Sequence, residues 1–254
     1  MLNLDRMTKR PVFQSIDDER RYRKERLVGA LRLFADFGYA EGGAGHISVR
    51  DPEYLDCFWT NPFGMHFGQI RVSDLVMVNH QGDVLIGNHK INVGAFVIHS
   101  QIHERHPEIE AIAHAHSIYG KIWSSLGRLL EPINQESCAF FESHLLFGDS
   151  AGLIETTQEA KELALALGGH KACILQNHGL LTVGRSVEEC AYWYISMERS
   201  CQSQIIAESI GKPIIIEASR ATYTRDQISQ PEHAWFFFQP FWDYISRKCP
   251  DLFQ

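Results

Sequence analysis

The chain has 254 residues, 44% of them hydrophobic and 22% charged, which suits one sizeable globular domain and does not require two. A formal net charge of −7 leaves no basic excess for a nucleic-acid or anionic-membrane surface. No apolar run approaches the roughly eighteen residues that span a bilayer.

The N-terminus, Met-Leu-Asn-Leu-Asp-Arg-Met-Thr-Lys-Arg, lacks the apolar segment of a secretory signal. Six cysteines (Cys57, Cys138, Cys173, Cys190, Cys201, Cys249) are scattered with no Cys-x-x-Cys pair, as expected for reduced, mostly buried thiols in a cytoplasmic protein. Residues 1–15 read as a flexible arm. From Asp17 to Phe37, Leu27, Leu31, Leu33 and Phe34 recur at helical spacing behind an acidic first turn. Arg20, Arg21, Arg23, Lys24 and Arg26 are offset by Asp17, Asp18, Glu19 and Glu25, which predicts a solvated helix face. A glycine-rich passage (Gly42, Gly43, Gly45) leads into His46-Ile47-Ser48-Val49-Arg50, which alternates like a strand, and Cys57–Thr60 reads as another.

Leu75–Val78 and Val84–Ile86 flank His80-Gln81-Gly82-Asp83 as a hairpin, and Ala95–Arg105 reads as a helix stopping before Pro107. Ile109–His116 is a short strand ending in His114-Ala115-His116. Helices are predicted at Ser117–Leu126, Thr156–Leu167 and Val187–Ile210, and a buried strand at Lys171–Gln176 delivers His178. After Pro213 come about forty residues rich in aromatics. Strands interspersed with helices imply an α/β, three-layer α-β-α domain.

A period of two places His114 and His116 on one side of a strand. With His178 they make a plausible site for one divalent metal, zinc or iron(II), though manganese or cobalt also suit imidazole donors. Three protein ligands leave coordination positions open, as catalytic metals require.

In order and spacing, Gly45-His46-Ile47-Ser48-Val49-Arg50, His99 fifteen positions before His114, the pair His114-Ala115-His116-Ser117, and Asn177-His178-Gly179-Leu180 resemble the class II aldolase/adducin family over about residues 25–211. The resemblance implies a central, mainly antiparallel sheet of about nine strands between helices, and a homotetramer with active sites at its subunit interfaces. It further implies a metal held by His114, His116 and His178. The domain would occupy residues 16–211, with residues 212–254 an aromatic extension packing on it or on a neighbouring subunit.

The sequence departs from the family's aldolases where they carry a proton-shuttling glutamate. Four positions before His99 stands Ala95, in Val93-Gly94-Ala95-Phe96, and alanine cannot accept a proton. His46 replaces the asparagine of the phosphate loop, and Phe63, Val93 and Gly94 replace small hydroxyl residues of the others. A phosphate dianion needs several donors, so a non-phosphorylated substrate, aromatic in the reading of Phe63, Phe96, Phe140 and Phe141, is expected. In this the chain is similar to the family's decarboxylases and to a non-haem iron oxygenase that shortens a prenylated hydroxyphenylpyruvate.

Replacement acid/base groups would be Glu136 or Glu142, in the loop and strand after the metal pair, with Glu142 set against an apolar wall by Phe141, or Tyr119; the two glutamates read more readily as surface or ion-pairing carboxylates, and Tyr119 equally well as a packing residue. His46, Ser48, Arg50, Phe63 and Phe141 are the candidate substrate contacts, with Arg50 suited to a carboxylate. His99 reads as structural, His233 and Trp235 as a cover for a neighbour's site, and Glu188, Glu189 and Glu198 as solvated or interfacial. The leading expectation is a metal-dependent lyase cleaving a C–C bond of a carbonyl- or carboxylate-bearing small molecule. An iron(II) oxygenase acting on an aromatic 2-oxo acid and a non-catalytic, adducin-like binding module are the alternatives.

Overall fold

The computed structural model describes residues 10–148, 154 and 156–254; residues 1–9 of the expected arm lie outside them. Eight strands form one sheet: β1 (His46–Arg50), β2 (Cys57–Thr60), β3 (Val76–Asn79), β4 (Val84–Ile86), β5 (Ala111–Ala115), β6 (His144–Phe147), β7 (Ala172–Leu175) and β8 (Gly179–Gly184), in the order β4-β3-β2-β1-β5-β8-β7-β6. Every pair is antiparallel except β6 with β7. Eight α-helices accompany them: α1 (Ile16–Asp36), α2 (Val93–Arg105), α3 (Ile118–Ser124), α4 (Gln135–Cys138), α5 (Thr157–Leu167), α6 (Val187–Ile210), α7 (Ala218–Ile228) and α8 (Pro231–Lys248).

Strand alternation sorts residues to two covered faces. Ile47, Val49, Ala111, Ala113, Ala115, Ala172 and Ile174 join a core with Leu27, Leu31 and Phe34 of α1 and Trp193, Tyr194 and Met197 of α6. Ile112, Cys173, Leu175 and Leu181 join the other, with Ile98 and Ile102 of α2 and Leu163 and Leu167 of α5. Three layers result. The same alternation sends His46, Ser48, Arg50 and His114 to the α2 side, since β1 and β5 pair in register at His46 and His114.

Several expectations need correction. The sheet has eight strands among the described residues rather than about nine, β8 was not foreseen, and the strand expected to hold Glu142 begins only at His144, as β6. The aromatic tail folds as α7 and α8; Trp235 and Phe238 are buried, and α8 packs on α6 and α1. His233 stacks on Phe237 of the same helix, ring centroids 4.1 Å apart, so within this chain both His233 and Trp235 serve α8 packing.

The basic run of α1 is not a loose solvated face. Arg20 pairs with Asp51 at 2.7 Å and Glu53 at 2.6 Å, Arg26 lies 3.5 Å from the Trp242 ring centroid, and Lys24 sits over Trp59. Nor are the α6 carboxylates solvated: Glu188, Glu189 and Glu198 are all buried. Glu188 takes the Tyr22 hydroxyl and faces Arg26, and Glu189 accepts from Arg185 N and Trp193 Nε1. Glu198 accepts from Ser117 Oγ (2.5 Å), Tyr119 N (2.9 Å) and Gly120 N (2.7 Å), satisfying donors that the first turn of α3 leaves over. All six cysteines are free thiols, five of them buried.

Candidate metal centre

His114 lies near the end of β5, at the middle of the sheet. Its Nδ1 is 2.8 Å from the Leu180 carbonyl, which can only accept, so Nδ1 carries the proton and Nε2 keeps its lone pair. His116 follows just beyond the strand. Glu198 fixes its departure into α3 by holding the next residue, Ser117, and Tyr194 adds a bond from its hydroxyl to the Ala115 carbonyl at 2.7 Å. His178 sits in the tight turn from β7 to β8. Asn177 there takes φ 58°, a left-handed conformation that asparagine tolerates. Gly179 lets this turn close on β5, since a Cβ would lie 3.0 Å from the Ala115 carbonyl.

The three rings converge. His116 Nε2 is 3.1 Å from His114 Nε2 and 3.0 Å from His178 Nε2, and one nitrogen from each of the three lies within 4.8 Å of the others. Hydrogen bonding alone cannot satisfy this arrangement, because His116 Nε2 bears either one hydrogen or one lone pair while facing two nitrogens. One cation accepts all three lone pairs. Two nitrogens that share one ion at about 2.1 Å each cannot be more than about 4.2 Å apart, and the 3.1 and 3.0 Å separations satisfy that bound. Burial holds His114 well below the ordinary histidine range, burial and then Lys121 lower His116, and burial brings His178 down to about 4. Neutral imidazole, the form that binds metals, is therefore the resting form. The residues present fit a divalent ion.

Around the triad lies a cleft of about 110 Å³ lined also by Ala44, Gly45, His46, Asn92, Gly94, Ile98 and Ile154. Gly45 has φ +90°, and a Cβ there would sit 3.1 Å from the His114 carbonyl and 3.1 Å from the Phe67 ring, so the loop can approach β5 only as glycine. Among the described residues no carboxylate lines this cleft.

The other sequence candidates divide. His46 lines the cleft, its ring centroid 5.0 Å from that of His114. Ser48 is buried one step behind it, bonded to His99 and His103. Arg50 is not offered to a substrate carboxylate: its guanidinium donates to the carbonyls of Leu55, His103, His106 and Ile109. Phe63 is exposed, beside Gly43 of the loop that leads to the cleft. Phe141 and Glu142 lie in the turn before β6, where Arg225 of α7 takes the Phe141 carbonyl and pairs with Glu142 at 2.9 Å. Glu142 is therefore exposed and ion-paired rather than set against an apolar wall. Glu136 is exposed on α4, lining a separate cavity with Tyr192, Arg199 and Phe241. Tyr119 packs against the α1/α6 core. None of these three lines the histidine cleft. Phe140 is wholly buried against Trp193 and His144, as core.

Sequence reasoning missed the role of Glu198, although its spacing of four from Tyr194 on α6 is a usable sign that both face the His116–Ser117 corner.

A mainly antiparallel sheet between two helical layers, with a tri-histidine cluster at the end of its central strand, defines a metal-competent α/β enzyme fold. Residues 25–205 match the Class II Aldolase and Adducin N-terminal domain, and the chain belongs to that family. It is 37% identical over 244 residues to decarboxylase NovR of Streptomyces niveus, covering 95% of this chain and 90% of that protein. It is 36% identical over 244 residues to a 4-hydroxy-3-prenylphenylpyruvate oxygenase/4-hydroxy-3-prenylbenzoate synthase of Streptomyces roseochromogenus subsp. oscitans, covering 95% and 88%. Among solved structures, an L-fuculose 1-phosphate aldolase from Glaciozyma antarctica PI12 superposes with a TM-score of 0.91 at 40% identity, covering 97% of each chain. Fold and relatives together support a lyase-like enzyme.

Proposed function

We propose that this protein is a metal-dependent lyase that cleaves a C–C bond, by decarboxylation in the first instance, in a non-phosphorylated small molecule bearing a carbonyl or carboxylate next to an aromatic group. The observation that carries this reading is the convergence of His114, His116 and His178 on one point at the wall of a cleft. A divalent ion held there supplies Lewis acidity toward substrate oxygens and, as iron(II), a place for dioxygen.

The chain's own residues narrow the chemistry. No carboxylate lines the cleft in the described chain, so a reaction that must begin by removing a proton has only the His46 ring to serve as base beside the metal triad. Decarboxylation of an acid whose carbonyl lies one carbon from the carboxylate needs none, because the electrons of the breaking bond pass into that carbonyl as CO2 departs and the resulting enolate takes its proton from water. The related structure named for a sugar-phosphate substrate does not transfer its substrate here. The described lining holds no arginine, lysine, serine or threonine for a phosphate dianion. Phe63 near the approach to the cleft suits an aromatic group instead.

Homotetrameric assembly with sites at the interfaces and a cytoplasmic location belong to the same reading. A second chemistry is favoured by one finding: the relative named as an oxygenase matches along 95% of this chain. In that case iron(II) occupies the triad and an aromatic 2-oxo acid is cleaved oxidatively. A scaffold of the adducin kind would have no use for a neutral tri-histidine cluster.

Elemental analysis of protein purified without chelator or histidine tag should find about one zinc or iron per chain. Zinc- and iron-loaded samples, the latter prepared anaerobically, would then be given aromatic 3-oxo, 2-oxo and hydroxy acids while CO2 release and oxygen uptake are followed. CO2 release without oxygen uptake supports the lyase; oxygen uptake confined to the iron form moves the assignment to the oxygenase. Protein that takes up neither metal at neutral pH would sink both.

A further inference from the structure

Beside the triad, the α2 face of the sheet carries a second line of polar side chains. His46 Nδ1 lies 2.8 Å from His99 Nε2, His99 Nδ1 lies 2.7 Å from Ser48 Oγ, and Ser48 Oγ lies 3.0 Å from His103 Nε2. All four residues are buried. At the cleft end, His46 has one nitrogen committed to His99 and Nε2 left for the space its ring lines. At the far end, His103 Nδ1 is buried without a hydrogen-bond partner.

A neutral imidazole has one N–H and one lone pair, and the buried Ser48 hydroxyl, bonded to these two rings, would leave its own O–H without an acceptor if it accepted from both, so the line is polarised in one direction throughout. In the first direction His103 Nε2–H donates to Ser48, Ser48 to His99 Nδ1, and His99 Nε2–H to His46 Nδ1. His46 then presents Nε2–H to the cleft, and His103 Nδ1 is a bare lone pair. In the second direction every bond reverses, His46 presents a lone pair, and the N–H that His103 keeps has only the Ile109 carbonyl nearby, which already accepts from Arg50 Nε at 3.3 Å and Nη2 at 3.2 Å, so that N–H makes no well-formed hydrogen bond. Orphaned buried N–H groups are rare because they cost most of a lost hydrogen bond. Arg50, donating from Nη2 to the His103 carbonyl at 2.6 Å, places a positive charge beside the same residue and further disfavours a proton at that end.

We propose that His99, Ser48 and His103 are positioning residues that hold His46 as its Nε2–H tautomer, giving the cleft a neutral hydrogen-bond donor for a carboxylate oxygen of the substrate. Only the ligand half rests on the function proposed above; the tautomer half does not. A donor is what an anionic oxygen requires, and N–H···O⁻ bonds are among the stronger ones.

Two-bond ¹H–¹⁵N correlation spectra of the full-length, ¹⁵N-histidine-labelled protein read the tautomer directly, with His46→Gln used to assign the His46 signals. Wild type should show His46 as Nε2–H, Ser48→Thr should retain it by keeping the hydroxyl, and Ser48→Ala should give a mixture. Benzoate, the simplest aromatic carboxylate, should bind zinc-loaded Ser48→Ala about five- to tenfold more weakly than wild type. An Nδ1–H signal for His46 in wild type overturns the proposal without need of any variant. So does an unchanged His46 pattern in folded Ser48→Ala. Equal benzoate affinity overturns the substrate half. Should the protein fail to bind zinc at all, the proposed function falls, and the tautomer measured on the metal-free protein still decides the positioning role.

Discussion

A single ring at the metal point illustrates how little freedom the site has. His116 faces both other ligands at about 3 Å through one nitrogen, so its removal takes away the common neighbour of the set. His116→Ala should weaken zinc binding by more than the roughly 10–100-fold that loss of an outer partner of a metal ligand costs, while leaving the fold intact, since this side chain is only partly buried. Competition titration against a chromogenic chelator measures it, and retention of near wild-type affinity would show that the triad is not the site. Away from the metal, His144 offers a test of burial. It accepts from Leu130 N and donates to the Phe140 carbonyl, and burial holds it down to about 4. The unfolded chain takes up a proton near 6.5, which the folded one refuses until about pH 4. Stability contributed by neutral His144 is therefore full above pH 6.5 and is lost as pH falls from there toward 4, by on the order of 3 kcal/mol in total. Urea denaturation between pH 7.5 and 5 should show a shallower loss in His144→Gln than in wild type, by up to about one proton's worth of slope. Parallel curves would refute the assignment.

At the level of elements, the short helix α3 depends on a distant carboxylate. Its leading N–H groups find Glu198 on α6, which also receives Ser117. Glu198→Ala leaves these buried donors unsatisfied and should cost about 3 kcal/mol in stability. Because the same contact fixes where the chain turns after His116, zinc affinity should fall about tenfold, as for other partners one step removed from a metal. Glu198→Gln, which keeps an acceptor, should recover most of both, and thermal melts with zinc titrations would separate these outcomes. Strands β1, β2 and β5 and helices α1, α2, α5 and α6 were legible because alternation or helical periodicity is a property of the segment itself. The three converging histidines were legible because two stand one residue apart at the end of β5 and the third follows β7 closely. Glu198 was not, because the spacing of charges on a helix does not say which of them meets another helix's N-terminus. Glu136 and Glu142 were chosen by their nearness in sequence to His116, but α4 and the turn before β6 carry them away from the cleft. The tail was obscured by Pro240, which argues against a helix interior yet is accommodated inside α8.

On the scale of the whole molecule, one chain leaves apolar surface that water would not favour. Ile118 and Ile122 stand one turn apart on the outside of α3, 59% and 45% exposed, and Leu126 and Leu129 continue the patch. This patch begins two residues from His116, so whatever covers it also abuts the metal centre. The edge strand β4 adds Val84, Leu85 and Ile86, all exposed, and an uncapped apolar edge invites pairing with another chain. The homotetramer proposed above, with its sites at the interfaces, would cover both features. Four copies of the 29.0 kDa chain, about 116 kDa, should elute together in light-scattering chromatography. Replacing Ile118 and Ile122 together by glutamate puts two charges where an apolar partner is expected and should shift the protein to smaller species. Both side chains are largely exposed in the single chain, so the monomer should still fold, which circular dichroism can check. If assembly completes the cleft, activity should fall with the tetramer while zinc binding by the triad persists within a single chain. A double variant that remains tetrameric would remove α3 from the interface, and one that becomes monomeric with full activity would show that each chain carries a complete site.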